Sequence, residues 1–511
     1  MIRGGILNSR TRPARRSAAA VREAWAGAAV AAACGLAVSL AAPAMPAVAA
    51  QHPGGPATGH ASAGTGQHRV TGRMSSGAPW ARIAAGGDHT CGIRAGGTLW
   101  CWGDNTYGQL GLGSHTSADL PRQVTSPARG GWASVIADFE DTCAIRTDTT
   151  LWCWGDNGFG VLGTGNSTSQ DRPTQVTTPA PGGWASITTS GDHTCATRTE
   201  ATLWCWGVNE DGQLGIGNHT YPDRPTQVNT PAAGGWTSVT AGTNHTCATR
   251  TDATLWCWGE DEHGQLGYVT PDAPDLPQQV TTPAREGWAS VTAGSDDTCA
   301  SRTGSTLWCW GDNSERQLGI GNYPSPAGPR QVTTPAAGGW GSITVGGVST
   351  CGVRTGATLW CWGYNGDGQL GLGNHTPHDL PRQVTTPAAG GWASVTAHGD
   401  HTCAIRTGGT LWCWGSNGSG ELGIGTRKGN DYLPRQVTTP APGGWASVTA
   451  GLYYTCSVRT GGTLWCWGNN GYGQLGIGNN TEQDRPRQVT GCAHPSHDEF
   501  SRPMHLIKLT G

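Results

Sequence analysis

The chain has 511 residues, of which 13% are charged, and it carries 82 Gly, 25 Trp and only 3 Phe. Low charge, abundant glycine and just two lysines, Lys428 and Lys508, argue against a helical protein and favour many short strands joined by Gly/Pro turns. The formal net charge is −3 and no basic run follows residue 22, so no surface for a phosphate backbone, and no nucleic-acid partner, is expected.

Residues 1–50 read as a secretory signal peptide. Arg3, Arg10, Arg12, Arg15, Arg16 and Arg22 form a basic n-region, Trp25 to Ala42 is a run of small apolar residues, and Ala47-Val48-Ala49-Ala50 offers a cleavage site. The apolar run barely reaches spanning length and is mostly Ala and Gly, which disfavours a membrane anchor. Arg15-Arg16 lacks the apolar residues a twin-arginine signal wants after it, and the run continues well past Cys34, against a lipoprotein site. Residues 51–79, rich in Gly, Ala, Ser and His, read as a disordered linker. The expected product is secreted, extracellular or associated with the cell wall, with no membrane span once the signal is removed.

Self-similarity dominates after Pro79. A Trp opens each unit at 80, 132, 184, 236, 288, 340, 392 and 445, a spacing of 52 broken by one extra residue in the Arg427–Tyr432 loop. The units are 80–131, 132–183, 184–235, 236–287, 288–339, 340–391, 392–444 and 445–490, followed by a tail, 491–511. The unit from Trp392 to Gly444 holds four strand-like runs, WASVTA, HTCAIRT, TLWCW and RQV, separated by Gly, Asn, Asp and Pro clusters. Four strands at a period near 50 are the mark of propeller blades. The fold class is therefore all-β: a β-propeller of four-stranded antiparallel blades, eight by count.

The central hairpin of each unit predicts how blades pack. With Cys91 opposite Cys101, Ile93 lies opposite Leu99 and all four side chains share one face, while Trp100 and Trp102 take the other, opposite Gly92 and Thr90. The Trp face of one blade then stacks on the Cys/Ile/Leu face of the next, each indole removing ~150–250 Å² from water, or ~4–6 kcal/mol of gross transfer energy. Of the 25 Trp, 24 fill the three repeat positions, which suits structural core rather than a ligand platform.

Sixteen of the 18 Cys form eight Cys-x9-Cys pairs: Cys91–Cys101, Cys143–Cys153, Cys195–Cys205, Cys247–Cys257, Cys299–Cys309, Cys351–Cys361, Cys403–Cys413 and Cys456–Cys466. Directly opposed residues are ~4.5–5.5 Å apart, within disulfide reach, so in an exported chain each pair is expected to be a disulfide. Sixteen buried thiols are the alternative. Zinc fits less well, because the nearby His89, His193, His245 and His401 become Asp141, Asp297, Ser349 and Tyr454 elsewhere. A three-residue hairpin loop usually wants Gly third, yet Thr149, Ala201, Ala253, Ser305 and Ala357 stand there. Cys34 and Cys492 are left over.

Residues 89–111, "HTCGIRAGGTLWCWGDNTYGQLG", carry a motif that resembles the regulator of chromosome condensation repeat, and the match recurs over residues 80–490. The resemblance implies a propeller, normally seven-bladed, against the eight complete units present here. It also implies nucleotide exchange on a small nuclear GTPase, ultraviolet sensing in plants, or β-lactamase inhibition by a secreted bacterial member. Export removes access to a nuclear GTPase, so exchange activity rests on the family name only. Light sensing relies on clustered exposed Trp, whereas every Trp here has a packing role.

Positions that break the repeat are the candidate site. The Gly-x-x-His turn becomes Phe139-Glu140-Asp141 in unit two, Ser295-Asp296-Asp297 in unit five and Leu452-Tyr453-Tyr454 in unit eight. The Trp-Gly-x-Asn loop varies as well, at Glu260-Asp261-Glu262-His263 and at Ser314-Glu315-Arg316, where Gly-Gln is expected. Tyr, Phe and acidic residues together suit a protein-binding face, although drift in exposed loops explains them equally well. No unit uniquely gathers nucleophile, base and orienting acid. The Asp104-type loops hold too few acids for calcium. The expectation is a monomeric, non-enzymatic scaffold without metal or cofactor that binds an extracellular or cell-surface protein, for instance as an enzyme inhibitor. A carbohydrate or cell-wall binding module is the alternative.

Overall fold

The computed structural model describes residues 77–490, apart from short stretches at 126–129, 179–180, 230–233, 269–273, 282–286, 335–337, 388–389, 428 and 440–442. The expected signal peptide, nearly all of the linker, and the tail with Cys492 lie outside the described residues. Eight four-stranded antiparallel sheets follow one another along the chain. In blade 1 they are β1 (Trp80–Ala85), β2 (His89–Arg94), β3 (Leu99–Gly103) and β4 (Ala118–Gln123). First strands of consecutive blades touch all round the ring, blade 8 against blade 1 included, which places them at the axis. The propeller is thus closed with eight blades, one more than the family norm, because every unit supplies a complete four-stranded sheet.

The hairpin register matches the sequence alternation: Cys91 faces Cys101, Gly92 faces Trp100 and Thr90 faces Trp102. All eight Cys-x9-Cys pairs are bonded, with Cα atoms 4.1–4.2 Å apart. The disulfide bridges a non-hydrogen-bonded pair, where antiparallel backbones come closest. Thr149, Ala201, Ala253, Ser305 and Ala357 do adopt the left-handed conformation, with φ of 56–66°, that Gly97, Gly409 and Gly462 supply in blades 1, 7 and 8. The turn geometry, set by the strands, overrides the residue's preference.

Eight equivalent interfaces form the core. Cys91, Ile93, Leu99, Cys101 and Leu110 of blade 1 pack on Trp132, Trp152 and Trp154 of blade 2, and the pattern continues round to blade 8 on Trp80, Trp100 and Trp102. The third-strand Trp at the inner end is sealed completely and its indole N–H is paired: Trp154 Nε1 donates to the Gln109 carbonyl of blade 1 at 2.9 Å. That carbonyl also accepts the Thr142 hydroxyl at 2.9 Å. Blade 1 closes on blade 8 by the same two bonds, Trp102 Nε1 and Thr90 Oγ1 to the Gln474 carbonyl, both 2.9 Å. The glycine of Gln-Leu-Gly is needed for this approach, since a Cβ on Gly111 would lie 2.8 Å from Trp154 Nε1.

One repeated device is not evident from binary patterning. The last residue of every second strand is Arg, and its guanidinium lies over the blade's first Trp, from Arg94 over Trp80 at 4.2 Å to Arg459 over Trp445 at 4.9 Å. It also ties down the segment entering the blade, as Arg250 does with the Gly234 carbonyl at 2.8 Å. A buried cation thus gains a π-face and a carbonyl together. The outer strands carry Pro and Arg in their midst, as in Ala118–Gln123 (ADLPRQ), or shrink to two residues in blades 3, 4 and 5. Both features discourage pairing with a further strand.

Candidate protein-binding face

The propeller has two unlike ends. At one lie the hairpin turns and the segments between blades, joined by bonds such as Trp132 N to the Gly97 carbonyl, 2.8 Å. At the other lie the turn between first and second strands and the loop after the third, held together by Asp104 N to the Asp88 carbonyl, 2.9 Å. The latter is the loop end.

Each loop is braced by an Asn two residues beyond the third strand. Asn105 accepts Leu110 N–H through Oδ1 at 2.9 Å and donates through Nδ2 to the Ser114 and Thr116 carbonyls at 2.7 and 3.0 Å. An amide is required for both halves of that job, which explains why Asn and not Asp predominates there. Blade 4 has Asp261 instead, and burial raises its pKa to about 6.

The loop end is strongly acidic. The three turn residues before each second strand and the seven after each third strand hold seventeen carboxylates round the ring and a single guanidinium, Arg316. Asp88 is half-buried and Glu140 exposed. Both have raised pKa values, chiefly through burial, with Asp104 adding repulsion at Asp88 and Asp156, Asp104 and Asp88 adding it at Glu140. The Glu140 charge in turn pushes the Tyr107 hydroxyl upward, helped by burial, Asp156 and Asp104. Similar crowding links Glu260 to Asp211, Asp296 and Glu262, and Asp400 to Asp367 and Glu421.

Aromatic rings are distributed unevenly on this background. The fourth residue beyond each third strand reads, in chain order, Tyr107, Phe159, Asp211, His263, Glu315, Asp367, Ser419 and Tyr472. The three rings belong to consecutive blades 8, 1 and 2, and their exposures are 49% for Tyr472, 37% for Tyr107 and 53% for Phe159. Tyr453 joins them from the turn of blade 8 at 46%, and Phe139 from the turn of blade 2, half-buried. Phe139 sits on a rigid base: Asp138 accepts its N–H at 3.0 Å and the Gly191 N–H of blade 3 at 2.7 Å.

Of the residues singled out in the sequence, Phe139, Glu140, Asp296, Glu315, Arg316 and Tyr453 lie on the loop end with some exposure. Arg316 takes the place of the loop glycine, with φ 67°, and Gln317 keeps the Gln position. Asp141, Asp297 and Tyr454 do not face a partner and are corrected to interior positions, at 6%, 1% and 0% exposure. They begin second strands and point between blades, where His89 meets Thr142 Oγ1 at 2.8 Å. Tyr454 there donates to the His89 carbonyl at 2.7 Å. Neither Asp297 carboxylate oxygen has a hydrogen-bond partner among the described residues, and burial raises its pKa well above the usual range. Tyr107, Phe159 and Tyr472 were missed; aligning the same loop position across units is the signal that finds them. A groove of about 420 Å³ beside Leu112, Ser114 and Arg122 lies on the outer part of blade 1, away from these rings.

The family model for the RCC1-like domain matches residues 185–441, half of the chain. The chain belongs to the RCC1-like family. Models of the regulator of chromosome condensation (RCC1) repeat also match within residues 80–197 and 445–497. Among curated relatives, the ultraviolet-B receptor UVR8 of Arabidopsis thaliana is 26% identical over 368 residues, 72% of this chain and 83% of the receptor. The human E3 ubiquitin-protein ligase HERC2 is 25% identical over 66% of this chain, but the match spans only 7% of the ligase. The same fold is seen in human WBSCR16, with TM-score 0.56 and 20% identity over 70% of this chain and 96% of that one. It is seen again in Prp20p of Saccharomyces cerevisiae, with TM-score 0.53 and 21% identity over 66% and 85%. The Prp20p structure is described with its binding to Gsp1p and histones. RCC1-like membership accounts for the propeller.

Proposed function

We propose that this RCC1-like protein is a secreted, non-enzymatic scaffold, a Cys-rich extracellular variant of its family that binds a protein partner at its loop end and acts as an inhibitor of an extracellular enzyme. The observation that carries the reading is the concentration of exposed rings and carboxylates at the loop end. Seventeen carboxylates lie there in the turns and inner loops with Tyr107, Phe159, Tyr453 and Tyr472, against three carboxylates, Asp148, Glu200 and Asp252, on the hairpin turns. Eight disulfides support an oxidising compartment, as does the basic, apolar N-terminal segment. Protein binding by relatives supports the mode of action: Prp20p binds Gsp1p and histones.

Affinity capture from culture medium tests the proposal, using the exported chain and two variants. One carries Phe139→Ala, Glu140→Gln and Tyr453→Ala at the loop end; the other carries Glu200→Gln and Asp252→Asn at the hairpin end. The expected result is one partner recovered by the parent chain and the hairpin-end variant and lost by the loop-end variant. Retention by the loop-end variant with loss at the hairpin end overturns the assignment. Recovery of glycan alone, with no protein, replaces it by the carbohydrate-binding alternative.

A further inference from the structure

We infer that the loop end of blades 8, 1 and 2 receives an arginine- or lysine-rich segment of the partner, its cationic side chains lying over Tyr472, Tyr107 and Phe159 and between Asp88, Glu140 and Asp156. This rests on the loop end being the binding face and adds the chemistry of what binds. Two independent features point to it. Negative charge predominates round the whole end: the turns and the first seven residues of each loop hold seventeen carboxylates and one guanidinium, Arg316, while Arg224 and Arg427 lie further along the loops of blades 3 and 7. A polyanion is therefore repelled and a cation attracted at long range. At the fourth position beyond the third strand, in contrast, rings occur in three consecutive blades only, 8, 1 and 2, and Tyr453 and Phe139 add two more on blades 8 and 2. Tyr221, Tyr364 and Tyr323 lie singly at other loop positions of blades 3, 6 and 5.

A carboxylate ring alone attracts cations without placing them. A tyrosine or phenylalanine face adjacent to carboxylates does place them, since a guanidinium satisfies its edge with oxygen acceptors and its face with the ring. The protein uses this pairing internally, where Arg94 stacks on Trp80 and donates to the Ala78 carbonyl at 2.9 Å. In the turns and the first seven loop residues of blades 8, 1 and 2 the rings and the acceptors are present without a guanidinium; Arg316 is three blades from blade 2, and Arg427 of blade 7 is paired with Glu482. Tyr107 lies near carboxylates, for its hydroxyl feels Glu140, Asp156 and Asp104 together. Tyr364 on blade 6 feels Asp367, Asp400 and Glu315, but blades 5, 6 and 7 carry Glu315, Asp367 and Ser419 at the position where blades 8, 1 and 2 carry rings. Equivalent positions at the next stations round the ring, Asp211, His263 and Glu315, offer no ring of comparable kind.

The test uses a fluorescein-labelled nona-arginine peptide as probe, with nona-glutamate and a Gly/Ser peptide as controls, read by anisotropy on the full exported chain. Saturable 1:1 binding of nona-arginine alone is expected. Asp88→Asn, Glu140→Gln and Asp156→Asn together weaken it about tenfold, and Tyr107→Ala, Phe159→Ala and Tyr472→Ala together weaken it about threefold or more. Asp211→Asn, Glu262→Gln and Asp296→Asn, an equal loss of charge on blades 3–5, change it by no more than about twofold. Equal weakening by the two neutralised sets, or binding of the Gly/Ser peptide as tight as nona-arginine, overturns the inference. Unchanged thermal midpoints confirm that each variant is folded. If a captured protein partner binds the loop end and ignores both sets of substitutions, the cationic segment is wrong and the scaffold reading stands; loss of the partner through the hairpin end removes the scaffold reading first.

Discussion

The two ends of each blade obey different rules. Toward the hairpin end, Cys pair, stacked Arg and Trp recur eight times because each side chain lies against a neighbouring blade or the segment entering its own. At the loop end only the bracing Asn and the Leu-Gly step hold nearly throughout, and the residues between them change from ring to carboxylate to Ser. Where a side chain is enclosed by the next blade, a change disturbs two blades at once. Where it projects into solvent, folding places little demand on it, and a binding role is free to shape it.

The widest test of that contrast is stability. Trp258→Ala, which empties a fully buried site and leaves the Gln213 carbonyl without its indole donor, costs ~3–5 kcal/mol. Phe159→Ala stays within about 0.5 kcal/mol. Thermal unfolding of both checks this, and comparable losses would break the division between the ends.

Asp297 sharpens it, as a loop-end deviation that has moved inside. Replacing its unpartnered carboxyl by the His of other blades, which bonds the next blade's Thr as His245 does Thr298 at 2.9 Å, is expected to gain about 1–3 kcal/mol. Because burial raises the folded-state pKa of Asp297, its contribution is kept at low pH and lost as pH rises through that value. Asp297→His should therefore flatten the fall of the melting temperature as pH rises above the ordinary carboxylate value; an unchanged slope counts against the assignment.

The buried imidazoles act in the opposite sense. Burial lowers His89, His193 and His401 to about 4 and His245 to about 3 from an ordinary 6.5. Their stabilising contribution is present above 6.5 and disappears as pH falls toward 4. A melting temperature that declines across this interval, and declines less in His193→Gln, is the expected result.

The smallest effect is in the hairpin turns. Ala253 holds φ 61°, and Ala253→Gly removes a left-handed penalty of ~1–2 kcal/mol while adding up to ~1 kcal/mol of unfolded-state entropy. A net gain of a few tenths to ~1 kcal/mol follows, against a loss for Gly409→Ala in blade 7. Chemical denaturation of the pair resolves the difference.

Much of the fold is readable from the chain because the repeat states its own alternation eight times. Opposing Cys91 to Cys101 determines which face carries Trp102, and with it the order in which blades stack. The candidate site is less readable. Asp141, Asp297 and Tyr454 look like surface variation because they interrupt a turn motif, yet they fill the buried slot of His89. Tyr107 and Phe159 escape notice because they lie inside a loop that otherwise follows the motif, and only their shared exposure separates them from the braced Asn105 two residues earlier.

By itself the sequence determined the number of repeat units, the hairpin register and which cysteines stand opposite each other, since these depend on local spacing and on the two-residue period of a strand. Closure as eight blades, against the family norm of seven, was decided by the structure. Only the tertiary structure decided which variant residues see solvent, that the Trp102 indole finds its acceptor at Gln474 across the closing interface, and that blade 8, with Tyr472, is the neighbour of blade 1, with Tyr107. Those facts join positions more than three hundred residues apart, and such positions meet only when the ring closes.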